Sequence, residues 1–395
     1  MRGTLFGFSS RTKNLSLPVL DSAKSPMKPR CYFIATSWND GAIANHFKAL
    51  SKNLVERGHR VVILITGQKR WVEDHESNPS IYAWPSLRPT NFRDAVFLYG
   101  LIRKYRPDCL ISNFGADNVM LLVGWLMRVP SRVAWYHTLI SQIEIDGEVT
   151  GWKARLLKLR KQTVYRGATF IVSVSSACRE DVQRVFQTPE RKCRVLHNSL
   201  SDPLPGLKLD QQESTDNRLV CVGRMHATKG QDTLIRAVAI LKRLLPGITV
   251  EFIGDGPFRE CCQQLARDLG VKDACIFEGD ISHDEVLKRM ALATATVVPS
   301  RSEGFGLVNI ESLAVATPVV ASRVGGIVEV IRDGVDGFLV PPNNPDALAE
   351  RLYTLLSNPD LRRTMSQNAR ERFLTTFEQS KVVKDQADWF ETVVH

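Results

Sequence analysis

Two glutamates stand eight positions apart in PSRSEGFGLVNIE, residues 299–311, with Gly304-Phe305-Gly306 between them. From Gly306 to Ser322, Glu311 is the only charge. An apolar run ends near Val298 and a helical pattern starts near Gly306, which predicts a strand-to-helix loop. The first N–H groups of such a helix have no partner within it, and its dipole is positive at that end. Together they make a seat for phosphate without a metal. Gly304 and Gly306 permit close backbone approach to a ligand. Glu303, at the mouth, is placed for sugar hydroxyls. Glu311 lies one to two turns in, where burying a carboxylate is costly unless something bonds it. A ribose diol would serve. The plain alternative is a carboxylate at the solvent edge of the helix.

A second loop of the same kind is CVGRMHATKG, residues 221–230. It brings Gly223, Arg224 and Lys229 to the carboxyl side of a sheet. Arginine grips a phosphate bidentately and lysine adds a point charge. Read alone, it is equally a solvated loop with two surface cations. Gly254-Asp255-Gly256-Pro257 and Gly325-Gly326 form two shorter turns after strands. The sequence contains no G-x-G-x-x-G, no G-x-x-x-x-G-K-[ST], no G-x-S-x-G and no D-x-D. The dinucleotide fingerprint, the P-loop, the nucleophile elbow and the usual carboxylate pair for a metal-bound diphosphate are therefore missing. Any diphosphate must be held by cationic side chains and backbone N–H groups.

These loops need elements to position them. At 395 residues the chain is long enough for two cores. Its 44% hydrophobic and 24% charged content fits a globular protein. The apolar run VMLLVGWLM, 119–127, is far shorter than the roughly 20 residues of a membrane span. A net charge of +10 points to anionic partners. No platform of interleaved aromatic and basic residues accompanies it, so nucleic acid is not the expected partner. Eight cysteines without a C-x-x-C pair read as reduced thiols, as in a cytosolic protein.

Apolar strand-like runs alternate with helical patterns. Strands are expected at 31–36, 60–65, 80–84, 108–112, 131–136, 169–174 and 193–197. Helices are expected near 42–57, 91–105, 115–127, 152–166 and 176–187. A second series follows, with strands at 218–222, 248–253, 274–278, 295–299, 318–321 and 337–340. Its helices fall near 230–245, 257–269, 283–292, 307–316, 344–357 and 360–375, and a last helix, 378–393, is expected to fold back on the first unit. Repeated β-α patterns imply parallel sheets covered on both faces. We expect residues 1–26 to be a disordered or non-native extension and 27–200 plus 378–395 to form one domain. Residues 201–217 read as a linker and 218–377 as the other domain. The expected fold class is α/β: two doubly wound, Rossmann-like parallel-sheet domains facing a cleft, with ligands at the carboxyl ends of the strands.

VGRM…TKG, IGDGP, PSRSEGFGLVNIE, TPVVASRVGGIVEVI and DGFLVPP occur in this order. The second domain thereby resembles the retaining glycosyltransferases of family 4, which have the GT-B fold. The resemblance implies a nucleotide diphosphate sugar (UDP- or GDP-linked) as donor substrate, with no cofactor and no metal. Arg224 and Lys229 match the family's diphosphate pair, Glu303 the glutamate at the donor sugar, and Glu311 the one at the ribose. Phe305 and Gly306 N–H groups match its phosphate turn, and Gly223, Gly254 and Asp255 complete the donor-binding set. In the first domain AWYHTL, 134–139, places His137 at a strand end, by the donor sugar; with Arg224, Lys229 and Glu303 it is the catalytic set. SWNDGAIANHF resembles the acceptor loop, giving Asn39, Asp40 and Gly41 as acceptor-side residues. Ala42, Ala44, Ser199 and Ala316 depart from the usual pattern.

The expected activity is hexosyl transfer to a glycan or lipid-linked hydroxyl acceptor, in a cytoplasmic enzyme. Residues 152–166, WKARLLKLRKQTVYR, carry six cations and no acid. A basic helix with Trp152, Leu156 and Leu159 on one side suits an anionic membrane surface, so peripheral attachment to the inner face is part of the expectation. The plain alternative is a stripe packed on the sheet. Rival readings are a non-catalytic nucleotide-sugar-binding subunit and a glycogen-phosphorylase-like enzyme.

Overall fold

The computed structural model describes residues 28–66, 72–147, 151–207 and 217–394. The extension at 1–26 and residues 208–216 of the linker lie outside the described residues.

The first sheet contains β1 (Cys31–Ser37), β2 (Arg60–Thr66), β3 (Ser80–Ala83), β4 (Cys109–Asn113), β5 (Ser131–Tyr136), β6 (Phe170–Ser173) and β7 (Cys193–Val195). Its order is β3-β2-β1-β4-β5-β6-β7, all parallel. Helices α1 (Ala42–Glu56), α2 (Phe92–Tyr105), α3 (Asp117–Leu126), α4 (Ile140–Ile145), α5 (Gly151–Arg166) and α6 (Ser176–Phe186) connect the strands. The second sheet contains β8 (Arg218–Val222), β9 (Thr249–Ile253), β10 (Cys275–Gly279), β11 (Ala295–Val298), β12 (Val319–Ser322) and β13 (Gly337–Val340). Its order is β10-β9-β8-β11-β12-β13, also all parallel. Its helices are α7 (Gln231–Leu241), α8 (Arg259–Asp268), α9 (His283–Leu292), α10 (Leu307–Ala314), α11 (Ile327–Val330), α12 (Pro345–Leu356) and α13 (Pro359–Arg372). A π-helical turn, Phe373–Phe377, leads to α14 (Gln379–Val393).

Parallel strands buried on both faces read as unbroken apolar runs, and VVILI in β2 is one. Each sheet has one switch point where neighbouring strands send their connections to opposite sides: β1/β4 in the first and β8/β11 in the second. The crevice beyond the carboxyl ends of such a pair is where a doubly wound sheet binds ligands. The two loops singled out from sequence follow β8 and β11.

The chain passes between the units twice, and the passages lie side by side. Leu200 N–H donates to Phe377 O at 3.1 Å, and Gln379 N–H to Leu200 O at 3.0 Å. Asp202, at the start of the expected linker, is held by Arg370 at 2.8 and 2.5 Å. Beyond this junction α14 packs on α1. Arg57 binds Asp388 and Glu391 at 2.7 and 2.9 Å, and Phe390 is wholly buried beside Tyr32 and Trp135.

Helix starts are locally encoded. Asn344-Pro345 and Asn358-Pro359 open α12 and α13, with each Asn side chain accepting an N–H inside the helix and each Pro in the first turn. Helix α10 ends at Ala314 with Val315 as its C-cap, and Ala316 takes a left-handed backbone, φ +59°. Glycine is the ordinary residue for that place. Ala316→Gly should therefore raise stability by about 0.5–1 kcal/mol. The urea midpoint followed by circular dichroism should rise; a fall would contradict the strain.

Candidate active site

Helices α7 and α10 differ from the capped helices. Each starts at a glycine in the left-handed region, Gly230 (φ +66°) and Gly306 (φ +86°), and neither has a side-chain cap. Neither Phe305 nor Gly306 N–H is bonded to an acceptor among the described residues. The N-terminus of α10 is thus open toward the β8/β11 crevice. The Phe305 ring is buried and stacks on His197 at 5.0 Å, so this residue offers its N–H rather than its side chain.

Lys229 and Glu303 meet across the crevice, Nζ to carboxylate at 2.6 Å, both mostly shielded from solvent. The Arg224 side chain is exposed and has no hydrogen bond or ion pair among the described residues. The loop after β8 thus carries a free guanidinium and an ammonium, and the ammonium is paired to the carboxylate beside the open helix end. Buried Gln231 Oε1 and Ser300 Oγ, both without a partner, line a hollow together with Lys229 and Glu303. The Gly254–Gly256 turn packs on the Gly223–Met225 turn, Asp255 O accepting from Met225 N–H at 2.9 Å. Asp255 itself is exposed, near Arg259 at 3.5 Å.

Glu311 is buried within α10 and not at a solvent edge. Burial pushes its carboxyl above the usual range, and His283, 3.9 Å away, partly offsets this. Such a carboxyl gains by meeting hydroxyl donors.

The first domain closes directly onto this loop. A Cβ on Gly304 would collide with the His137 carbonyl oxygen, so this glycine is required by the approach of the other domain. That corrects the expectation that Gly304 serves approach to a ligand. Ser175 Oγ donates to Gly304 O at 2.6 Å, and Ser141 and Ser302 hydroxyls lie 2.7 Å apart. Asp146, just after α4, accepts from Thr228 N–H and Oγ1–H at 3.0 and 2.9 Å. Glu329 accepts from Ser176 N–H at 2.7 Å and lies 3.3 Å from His197. Asp146, Ser175 and Glu329 escaped sequence reading, because their partners lie 82 to 153 positions away.

His137 follows β5 directly. Asn113 Nδ2 donates to Ala35 O at 2.9 Å, which turns Asn113 Oδ1 toward His137 Nε2 at 2.7 Å. Nε2 must carry the proton, which leaves Nδ1 as a buried lone pair without a partner. Burial, helped by nearby His46 and Lys161, holds the imidazole at about 3, so it is neutral. A neutral ring with a free acceptor suits a hydroxyl ligand. On the acceptor side, Gly41 N–H donates to Asn39 Oδ1 at 3.2 Å, and Lys48 to Asn39 O at 2.8 Å. Asp40 is fully exposed, 3.8 Å from Lys48. This loop directly follows β1. Ser199, at another departure from the usual pattern, is buried and bonded to His46 at 2.7 Å. The basic helix α5 does not lay its stripe on the sheet: Trp152, Leu156 and Leu159 are exposed.

Residues 209–372 match the family model Glycosyl transferases group 1, and residues 43–201 match Glycosyltransferase Family 4. The chain belongs to glycosyltransferase family 4. Among relatives of this glycosyltransferase, an uncharacterised glycosyltransferase of Methanocaldococcus jannaschii is 26% identical over 87% of this chain and 93% of its own. The GDP-mannose-dependent α-(1-6)-phosphatidylinositol monomannoside mannosyltransferase of Mycolicibacterium smegmatis is 34% identical over 60% of this chain and 59% of its own. Anabaena HepE, solved in complex with UDP, superposes with a TM-score of 0.75 at 20% identity, covering 92% of this chain and 100% of that one. The glycosyltransferase thus has the expected GT-B fold, and no helix among its described residues is long and apolar enough to cross a membrane.

His46 gives a test of the packing behind the site. It is fully buried, and burial holds its imidazole at about 4. In the unfolded chain it titrates near 6.5. Its stabilising effect is complete above pH 6.5 and is lost as pH falls toward 4, because only the unfolded chain takes the proton. His137 acts in the same direction. Urea midpoints from pH 7 to 4.5 should fall, and less steeply in His46→Gln. Equal slopes would contradict the buried neutral ring.

Proposed function

We propose that this glycosyltransferase moves a hexosyl unit from a UDP- or GDP-sugar to a hydroxyl of a glycan or lipid-linked acceptor, with retention at the anomeric carbon. The observation that carries the reading is that the loop after β8, with Arg224 and Lys229, and the loop after β11, with the uncapped α10 terminus, share one switch point and are joined across it by Lys229 and Glu303. The UDP complex of HepE and the GDP-mannose dependence of the mycobacterial relative support a nucleotide sugar and leave both bases open.

In this reading the diphosphate lies against Phe305 and Gly306 N–H, Arg224 and Lys229. Glu303 meets the donor sugar, Glu311 the ribose diol, and His137 accepts a sugar hydroxyl at Nδ1. The C1–O bond to the diphosphate breaks, and C1 bonds to the acceptor oxygen on the same face. The acceptor's proton passes to the departing phosphate oxygen. Charge gathers on the diphosphate in the transition state, where fixed cations and N–H dipoles are most effective. They occupy the role of a divalent metal. The Lys229–Glu303 pair must loosen for the donor, which spreads the ammonium between carboxylate and phosphate.

Arg224→Ala and Lys229→Ala should each lower kcat/KM by about 10²–10³ while the fold is kept. Glu311→Gln should weaken donor binding about tenfold. A panel of UDP- and GDP-sugars, scored by transfer, slow hydrolysis and the anomeric configuration of the product, tests this. No donor binding, or an inverted product, would overturn it.

The same reading places α5 on an anionic membrane surface. Exposed Trp152, Leu156 and Leu159 accompany exposed Arg155, Lys158 and Arg160, and neighbouring α3 exposes Leu122, Trp125 and Leu126. The protein should co-sediment with phosphatidylserine-rich vesicles and not with phosphatidylcholine alone, and Leu156→Glu/Leu159→Glu should weaken this at least tenfold. Equal sedimentation of the double variant would contradict it.

A further inference from the structure

The second sheet's switch point is the crevice assigned to the donor. The first sheet has its own, between β1 and β4, and the residue that projects there is Phe114. It directly follows β4 and has φ +52°. For a bulky residue this left-handed conformation is strained and persists only where the surroundings enforce it. Burial of the ring does not account for the strain, because Phe114 is 51% exposed. One face is fixed: it stacks on His137, centroids 4.7 Å apart and planes 15° apart. His137 is held by Asn113, and Asn113 by Ala35 O in β1. A chain of hydrogen bonds from the sheet therefore orients a plate that turns its other face outward.

That plate lies on the first domain, beside the residue whose carbonyl abuts Gly304 of the donor loop. An electron-rich aromatic face attracts the partly positive C–H groups on one side of a saturated ring, while the ring's hydroxyls stay free at the rim. We propose that the exposed face of Phe114 is the acceptor platform, on which a pyranose or cyclitol ring stacks so that one hydroxyl points toward the donor sugar. The assignment rests on the glycosyltransferase reading above and names the acceptor class for it: a ring bearing hydroxyls, not an open-chain alcohol. Asn39 and Asp40 lie across the same switch point, beyond β1, within the acceptor half. Sequence alone concealed Phe114, because NFGAD carries no charge pattern or motif around it.

The test compares wild type with Phe114→Leu, Phe114→Gly and Phe114→Tyr. Leucine covers His137 without an aromatic face, glycine also relieves the backbone, and tyrosine keeps the plate. Each is assayed for donor hydrolysis without acceptor, and for transfer to methyl pyranosides, myo-inositol and glycerol. The leucine and glycine variants should raise KM for the best ring acceptor about tenfold. Hydrolysis and transfer to glycerol should stay within about twofold, and tyrosine should restore ring transfer. An unchanged ring KM in the leucine and glycine variants overturns the platform. So does an equal loss for ring and glycerol, or a wild type that hydrolyses donor yet transfers to no ring compound. A wild type that neither binds nor hydrolyses any nucleotide sugar instead sinks the donor reading beneath it.

Discussion

The site depends on one close approach between the two sheets. Gly304 leaves no room for a Cβ because the His137 carbonyl stands where it would be. Through that contact the carboxyl end of β5 reaches the loop after β11. Ser175 fastens the same peptide by its Gly304 oxygen, and Asp146 and Glu329 tie down the flanks. If the backbones were held apart by even a methyl group, His137 would leave the donor loop. The hydrogen bonds that span the gap would lose their geometry, since they fail steeply with distance and angle.

The electrostatic design follows from leaving helix ends open. Several helices are capped by Asn or Ser side chains, as at Asn91, Ser282, Asn344 and Asn358. At α7 and α10 the chain places left-handed glycines and no cap. At α10 the Phe305 and Gly306 N–H groups have no acceptor among the described residues, and in the proposed function they meet an anion. Arg224 and Lys229 add full charges, and Glu303 keeps Lys229 in place before a ligand comes. The crevice is thus organised in advance, so little reorganisation is needed when charge develops on a leaving group.

Much of this was legible in the sequence. Buried parallel strands read as apolar runs, and β5, β8 and β13 fall where the runs lie. The glycines of the GFG turn before a helical pattern marked a helix end open to a ligand, and Gly306 takes a left-handed backbone there. Glu311 was ambiguous between edge and interior, since a single carboxylate in an apolar helix fits either until packing decides; it is buried. What stayed hidden is long-range. The short helices α4 and α11 are defined by the interface rather than by periodicity. Asp146 and Glu329 act only through partners in the other domain, and the exposed stripe of α5 depends on what packs beside it. Gly304 was legible as a special glycine, but its reason, a backbone from the other domain, lies outside any local pattern.

The central proposal is a diphosphate held by cations and N–H groups in place of a metal. The most direct measurement is calorimetric titration of the wild-type protein with UDP and GDP, with and without EDTA. At least one nucleotide should bind with the same affinity in both conditions. Binding that vanishes in EDTA and returns with magnesium or manganese would contradict it.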